Sequence, residues 1–197
     1  GIGASATADD DIKVDGKNIT QEKPVYFMLN KPVGVTSTRA DPHAKITVLD
    51  IVNVPQRIFP LGRLDRETEG LIILSNDGAL MQRLTHPSMG VTKSYIVTVD
   101  RPIQKAECAR LQRGITIEGR KVEVSNIRMH APNTLQLTIH EGRKHIVRRL
   151  IQSLGHRVAR LVRVSVGPLE LGNLPSGKWR ALTNTEIKAL KSQKAME

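Results

Sequence analysis

The sequence predicts an α+β fold built on a mixed, largely antiparallel central sheet with flanking helices. Two observations predict it. Strand-length apolar or alternating segments outnumber helical ones, and several are joined by short Gly, Pro or Asn turns rather than by helices. The helices that do occur break the series without the regular βαβ alternation that a parallel sheet requires. At 197 residues the chain is large enough for a real core in one domain, read here as residues 24–197 behind an N-terminal tail, residues 1–23.

Taken in order, residues 1–11 are small and polar with nothing to bury. Residues 12–19 have the shape of a strand, an Asp-Gly turn and a short return. Residues 25–30 (VYFMLN) form an apolar strand-like run that Pro32 and Gly34 stop. Residues 46–52 read as a short helix ending before Pro55. Residues 71–74 (LIIL) lie between Gly70 and the turn residues Asn76, Asp77 and Gly78, too short for a helix and suited to a buried strand. Asp77 can cap a helix over residues 79–85, with Leu80 and Leu84 at helical spacing and Pro87 as the stop. Residues 93–100 alternate as a strand, with Tyr95, Val97 and Val99 on one face. Residues 103–113 are helical, with Gly114 at the C-cap. Three strand-like pieces follow, 115–117, 122–129 and 134–140, then a helix over 145–154 and a β-branched strand over 158–166. Thr183 and Glu186 form a capping box for a last helix reaching Lys191, beyond which KSQKAME is expected to fray.

Charge narrows the class of partner. Thirty Lys and Arg against nineteen Asp and Glu give a net charge of +11, which points to a polyanion, nucleic acid before a membrane surface. No run has the length of a transmembrane helix and no signal-peptide core is present, so a cytoplasmic protein is the simplest reading. Cys108 is alone, and the six histidines show no HxxxH or HExxH spacing, so no metal site is expected. His86 and His156, beside Pro87 and Gly155, read as turn or surface residues.

The stretch with chemical content is residues 61–78, LGRLDRETEGLIILSNDG. Asp65 sits between Arg63 and Arg66 at the mouth of a buried strand, where flanking positive charge favours the ionised form and a nucleophilic role. An ordinary solvated loop carboxylate is the plainer reading of that stretch by itself. A second feature is a basic belt. Between Gly142 and Leu169 there is no acidic residue, while Arg143, Lys144, Arg148, Arg149, Arg157, Arg160 and Arg163 fall there. On the helix from residue 145, Val147, Leu150, Ile151 and Leu154 make one apolar face, with Arg149 opposite it. Arg148 lies at the border, about 110° from the centre of the stripe, able to bury its stem and present its guanidinium in a cleft.

Six ordered blocks resemble the RsuA/RluB family of bacterial ribosomal-RNA pseudouridine synthases. They are NKPVGVTST from Asn30, GRLDRETEGLIILSNDG from Gly62, KSYIVTV from Lys93, EGRKHIVRRL from Glu141, LGHRVARLVRVSVGPLELG from Leu154 and LPSGKWRALT from Leu174. The resemblance covers about residues 24 to 190. It implies the pseudouridine synthase fold, a central sheet crossed by a long basic cleft that holds the catalytic loop. It also implies a tail, residues 1–23, that could be the remnant of a linker from an S4-type RNA-binding module.

The resemblance also assigns roles. Asp65 matches the essential nucleophile, Arg148 the basic residue that ion-pairs with it, and Tyr95 the tyrosine that stacks on the target uracil and helps move the C5 proton. Arg63 matches the arginine that helps fill the space of the flipped nucleotide. Arg66, Arg143, Lys144, Arg149, Arg160 and Arg163 are the expected RNA contacts, and Arg39 and His43 could face RNA from a loop otherwise read as solvated. Many relatives carry Gln where Ile146 stands. The implied reaction breaks N1–C1′, turns the base and rejoins it through C5, so no cofactor is expected. The implied partner is ribosomal RNA or an assembling ribosomal particle, met by a monomer. Two rivals are a non-catalytic RNA-binding protein and a carboxylate hydrolase pairing Asp65 with Glu67 or Glu69.

Overall fold

The computed structural model describes residues 11–14, 17–20, 22–38 and 46–196. Arg39 and His43, and most of the polar tail, lie outside the described residues. A two-stranded pair, β1 (Asp11–Val14) and β2 (Lys17–Thr20), precedes the main body. The first half of the body comprises β3 (Tyr26–Lys31), α1 (Val48–Ile51), β4 (Phe59–Pro60), β5 (Glu69–Ser75) and α2 (Gly78–Thr85). Next come β6 (Lys93–Val99), α3 (Lys105–Arg113) and a hairpin of β7 (Ile115–Ile117) and β8 (Arg120–Val122). The remainder is β9 (Ser125–Ala131), β10 (Thr134–Ile139), α4 (Ile146–Ser153), β11 (Val158–Val166), β12 (Leu169–Glu170), β13 (Trp179–Ala181) and α5 (Asn184–Lys191).

The central sheet runs β13-β3-β5-β11-β6-β10-β9, with β4 and β12 attached to β5 and β11. Every neighbour pair in it is antiparallel except β5 with β11, so the mixed, largely antiparallel α+β architecture read from the sequence is the one found. β5 reads as an unbroken apolar run because both of its faces are covered. Leu71 and Ile73 pack with Met28 of β3, Leu80 and Leu84 of α2 and Leu190 of α5. Ile72 and Leu74 pack on the other side with Phe27, Leu29 and Val48. Beyond β11, a separate core joins Val97 and Val99 to Leu135 and Leu137 and to the apolar face of α4, including Val147, Leu150 and Ile151.

The two antiparallel halves meet at the single parallel junction, where Val162 pairs with Glu69 and Arg163 with Gly70. Gly70 has φ +115°, and a Cβ there would lie 2.2 Å from the Arg163 carbonyl oxygen. Backbone and strain both demand glycine. Gly70→Ala is expected to destabilise by roughly 2–6 kcal/mol, combining a left-handed φ with overpacking. For a chain of this size that lowers the melting temperature by on the order of 10 °C in calorimetry, and a loss under 2 °C would contradict the close approach.

Three expectations are corrected. The piece 122–129 is two strands in different sheets, because the chain breaks at residues 123–124 to leave the β7–β8 hairpin. His156 is no surface residue: it is 3% exposed, with Nε2 2.7 Å from Glu107. The tail after α5 does not hang free at residues 192–196. Arg83 donates to the carbonyls of Lys191 and Gln193, and the Met196 amide donates to Ser88. Among the described residues no helix is long and apolar enough to cross a membrane.

Candidate active site

The loop from Leu61 to Thr68 leads into β5 at the junction of the two half-sheets. It is anchored by the buried side chains of Leu61, Leu64 and Thr68, while Asp65 between them stays partly exposed. Four consecutive carbonyls of this loop are held. Ser37 Oγ donates to the Leu64 carbonyl at 2.5 Å and accepts the Leu64 amide at 2.8 Å. The Asp65 carbonyl accepts the Thr68 amide, closing a tight turn. The Arg66 carbonyl accepts from the Gly34 amide at 2.8 Å and from Lys31 Nζ at 3.3 Å. The Glu67 carbonyl accepts from Arg148 Nη2 at 2.9 Å. A loop fixed at successive peptides needs little reorganisation when a reaction begins.

Lys31 is the least obvious of these supports. It is fully buried, and its ammonium donates to the carbonyls of Pro32, Val35 and Arg66. Burial pushes its pKa down to about 8, against the pull of Glu67, Asp65 and Glu69. A lysine beside a proline at a strand end carries no sequence sign of such a role.

Asp65 opens into a cleft of about 1210 Å³. Tyr95, Arg63, Arg66, Arg143, Lys144 and Arg148 share that lining with it. Tyr95 is a buried residue of β6, directly across from Arg163 on β11. Arg163 also lines the cleft, yet it is 3% exposed and its Nε donates to the Leu71 carbonyl, so it braces the junction from within. Arg143 is likewise engaged, bonding Glu141 and the carbonyls of Ile117 and Arg120. The structure does not bring Arg149 and Arg160 into this lining. Arg149 pairs with Glu118 at 2.6 Å, and Arg160 grips Glu69 with two bonds. The belt that looked one-signed in sequence is thus partly neutralised by carboxylates from distant segments.

The Asp65–Arg148 ion pair implied by the resemblance is not formed. Arg148 Nη2 is spent on the Glu67 carbonyl and on Thr68 Oγ1, and its buried Nε has no partner among the described residues. The partner of the carboxylate is His145, with Nδ1 2.7 Å from Asp65 Oδ2. His145 directly precedes α4 in the left-handed region, φ 56°, which turns its ring out of the helix direction. It stands at the N-cap and not, as the sequence pattern predicts, as the first helical residue.

Sequence reasoning also missed Lys93, Arg120 and Lys121, all in the cleft lining. Burial and the charge of Arg163 push Lys93 down to about 8, with Glu141 pulling the other way. Among the described residues no second carboxylate stands ready beside Asp65. Glu67 is outside the lining, Glu69 is held by Arg160, Glu141 by Arg143, and Glu123 by His140.

A family model described as RNA pseudouridylate synthase matches residues 25–153. An RNA pseudouridine synthase of Aquifex aeolicus is 40% identical over 187 residues, covering 92% of this chain and 75% of its own. The ribosomal large subunit pseudouridine synthase B of Bacillus subtilis is 38% identical over 198 residues, covering 97% and 81%. A crystal structure of a pseudouridylate synthase superimposes with a TM-score of 0.79 at 31% identity, covering 95% of this chain and 83% of that one.

Proposed function

The chain belongs to the RNA pseudouridylate synthase family, within the RsuA/RluB group its sequence blocks resemble, and from that premise we propose that it isomerises a specific uridine of ribosomal RNA, acting as a monomer. It is an RNA pseudouridine synthase, an isomerase. The observation that carries the finer reading is the placement of a carboxylate on a rigidly held loop, Asp65, in one cleft with Tyr95 and a row of cationic side chains.

The chemistry follows from that arrangement. A uridine in a stacked strand is out of reach, so the nucleotide swings into the cleft, at a cost of a few kcal/mol that favours loops and locally melted RNA. Tyr95 supplies a flat face for the uracil and a polar hydroxyl near its C5 proton. Asp65 adds to C6 of the base or traps C1′ of the sugar; both routes free the base to turn and rejoin through C5. Arg63 fills the space the nucleotide leaves, while Arg66 and Lys144 meet phosphates. The isomerisation neither gains nor loses electrons or groups, so it calls for no cofactor. Both rivals are disfavoured: among the described residues the cleft offers a hydrolase no free second carboxylate, and a pure binder has no use for an anion held among cations.

The direct test is to map pseudouridines in bacterial ribosomal RNA before and after incubation with the purified chain. One or a few new sites are expected, and an unchanged map sinks the proposal. Lys93 adds a pH signature. With a pKa of about 8 its ammonium is charged at pH 7 and mostly neutral at pH 9. RNA affinity is therefore expected to weaken across that interval, with the salt slope falling by about one. Lys31 titrates in the same range but is sealed from the cleft, and the arginines stay charged. A Lys93→Met variant should show a flat profile; equal pH dependence in variant and wild type would remove Lys93 from the RNA contacts.

A further inference from the structure

The backbone of the Asp65 loop is over-determined, but its carboxylate is not. Ser37, Gly34, Lys31 and Arg148 all hold peptide groups, and none of them touches the Asp65 side chain. Among the described residues its one close polar contact is with His145, whose Nδ1 lies 2.7 Å from Oδ2 and forms an ion pair with it when the imidazole is protonated. An aspartate has two side-chain torsions, and a carboxylate free to turn spends little time aimed at a reacting atom.

His145 is built for a fixed aim. Its left-handed φ of 56° is uncommon outside glycine and costs energy that the surroundings must sustain. They do: Ile146 is 4% exposed in the core, its amide donates to the Arg143 carbonyl, and the Arg149 amide donates to His145. Arg143 and Arg149 in turn bind the β7–β8 hairpin, through Ile117, Arg120 and Glu118. The ring is therefore carried by a segment fastened on both sides, and it meets the carboxylate at 2.7 Å.

We infer that His145 is a positioning residue: its imidazole fixes Asp65 Oδ2 and thereby selects Oδ1 as the oxygen that attacks the nucleotide. The activity arm of this inference rests on the proposed function. His145 touches no reacting atom, so its loss affects the productive fraction of bound complexes and not their number.

The test separates backbone from side chain. Asparagine tolerates the left-handed region and places an amide N–H near the position of Nδ1, whereas glycine keeps the backbone and removes the donor. His145→Gly is expected to slow single-turnover pseudouridine formation about 10- to 100-fold at saturating RNA, with RNA affinity within about twofold of wild type. His145→Asn should return to within about threefold of the wild-type rate. A wild-type rate in His145→Gly, an affinity loss matching its rate loss, or a His145→Asn as slow as the glycine variant overturns the inference. A second readout needs no catalysis: the ¹⁵N resonance of His145 Nδ1 should move on Asp65→Ala, and an unmoved signal also overturns the pairing. If the wild-type chain forms no pseudouridine, the proposed function fails, while the imidazole signal still decides the contact.

Discussion

Asp65→Asn is expected to reduce pseudouridine formation at least about 10⁴-fold, the scale on which enzymes lose rate when a nucleophile is removed. The substitution is isosteric and leaves an amide in the place of the carboxylate, 2.7 Å from His145 Nδ1. The loop has no reason to move, since its four carbonyls are held by groups other than the Asp65 side chain. RNA binding should therefore persist, within about threefold and in the direction of tighter binding, because one negative charge leaves a positively lined cleft. Single-turnover conversion of ribosomal RNA with parallel affinity measurement checks both halves. A variant that still converts its uridine would remove Asp65 as nucleophile; one that loses RNA binding in step would make the residue a structural support.

Arg148→Ala is expected to lower the single-turnover rate by about 10²- to 10³-fold, the loss typical of deleting one preorganised donor. Here the donor acts on the Glu67 carbonyl and Thr68 Oγ1, just behind Asp65. Its removal also takes a positive charge from the cleft wall, so RNA affinity should weaken, by less than about tenfold. Arg148→Lys keeps the charge without the planar fork and should recover affinity more than rate. An unchanged rate in Arg148→Ala would leave Arg148 no part in the reaction.

The fold was legible where local pattern and tertiary environment agree. β11 spans the segment its β-branched residues predict, and α5 starts at the capping box of Thr183 and Glu186. β5 was legible because a strand covered on both faces is apolar throughout. The short strands β4, β12 and β13 were not, since two or three residues carry no period. In the site, the family resemblance implied roles for Asp65, Tyr95 and Arg148, and the three do line one cleft. The pairing among them was invisible. His145 reaches Asp65 through a left-handed backbone angle, and no residue pattern announces that angle for histidine. Charge along the chain misled in a different way. Glu69 and Glu118 meet arginines of the belt only after folding, so linear counting overstated the cations free to bind RNA. His156 was misread for the same reason, its carboxylate partners being Asp100 and Glu107.

The junction of Gly70 with Arg163 ties together positions nearly half the chain length apart. Pairings that distant close late and slowly, because the intervening chain must first surrender its freedom. During synthesis, a polypeptide that has emerged only as far as α4 already carries the aspartate, the tyrosine and the arginine helix, but lacks the strand that seats β5 beside β6. The cleft that holds Asp65 and Tyr95 is thus complete only once β11 is seated between β5 and β6.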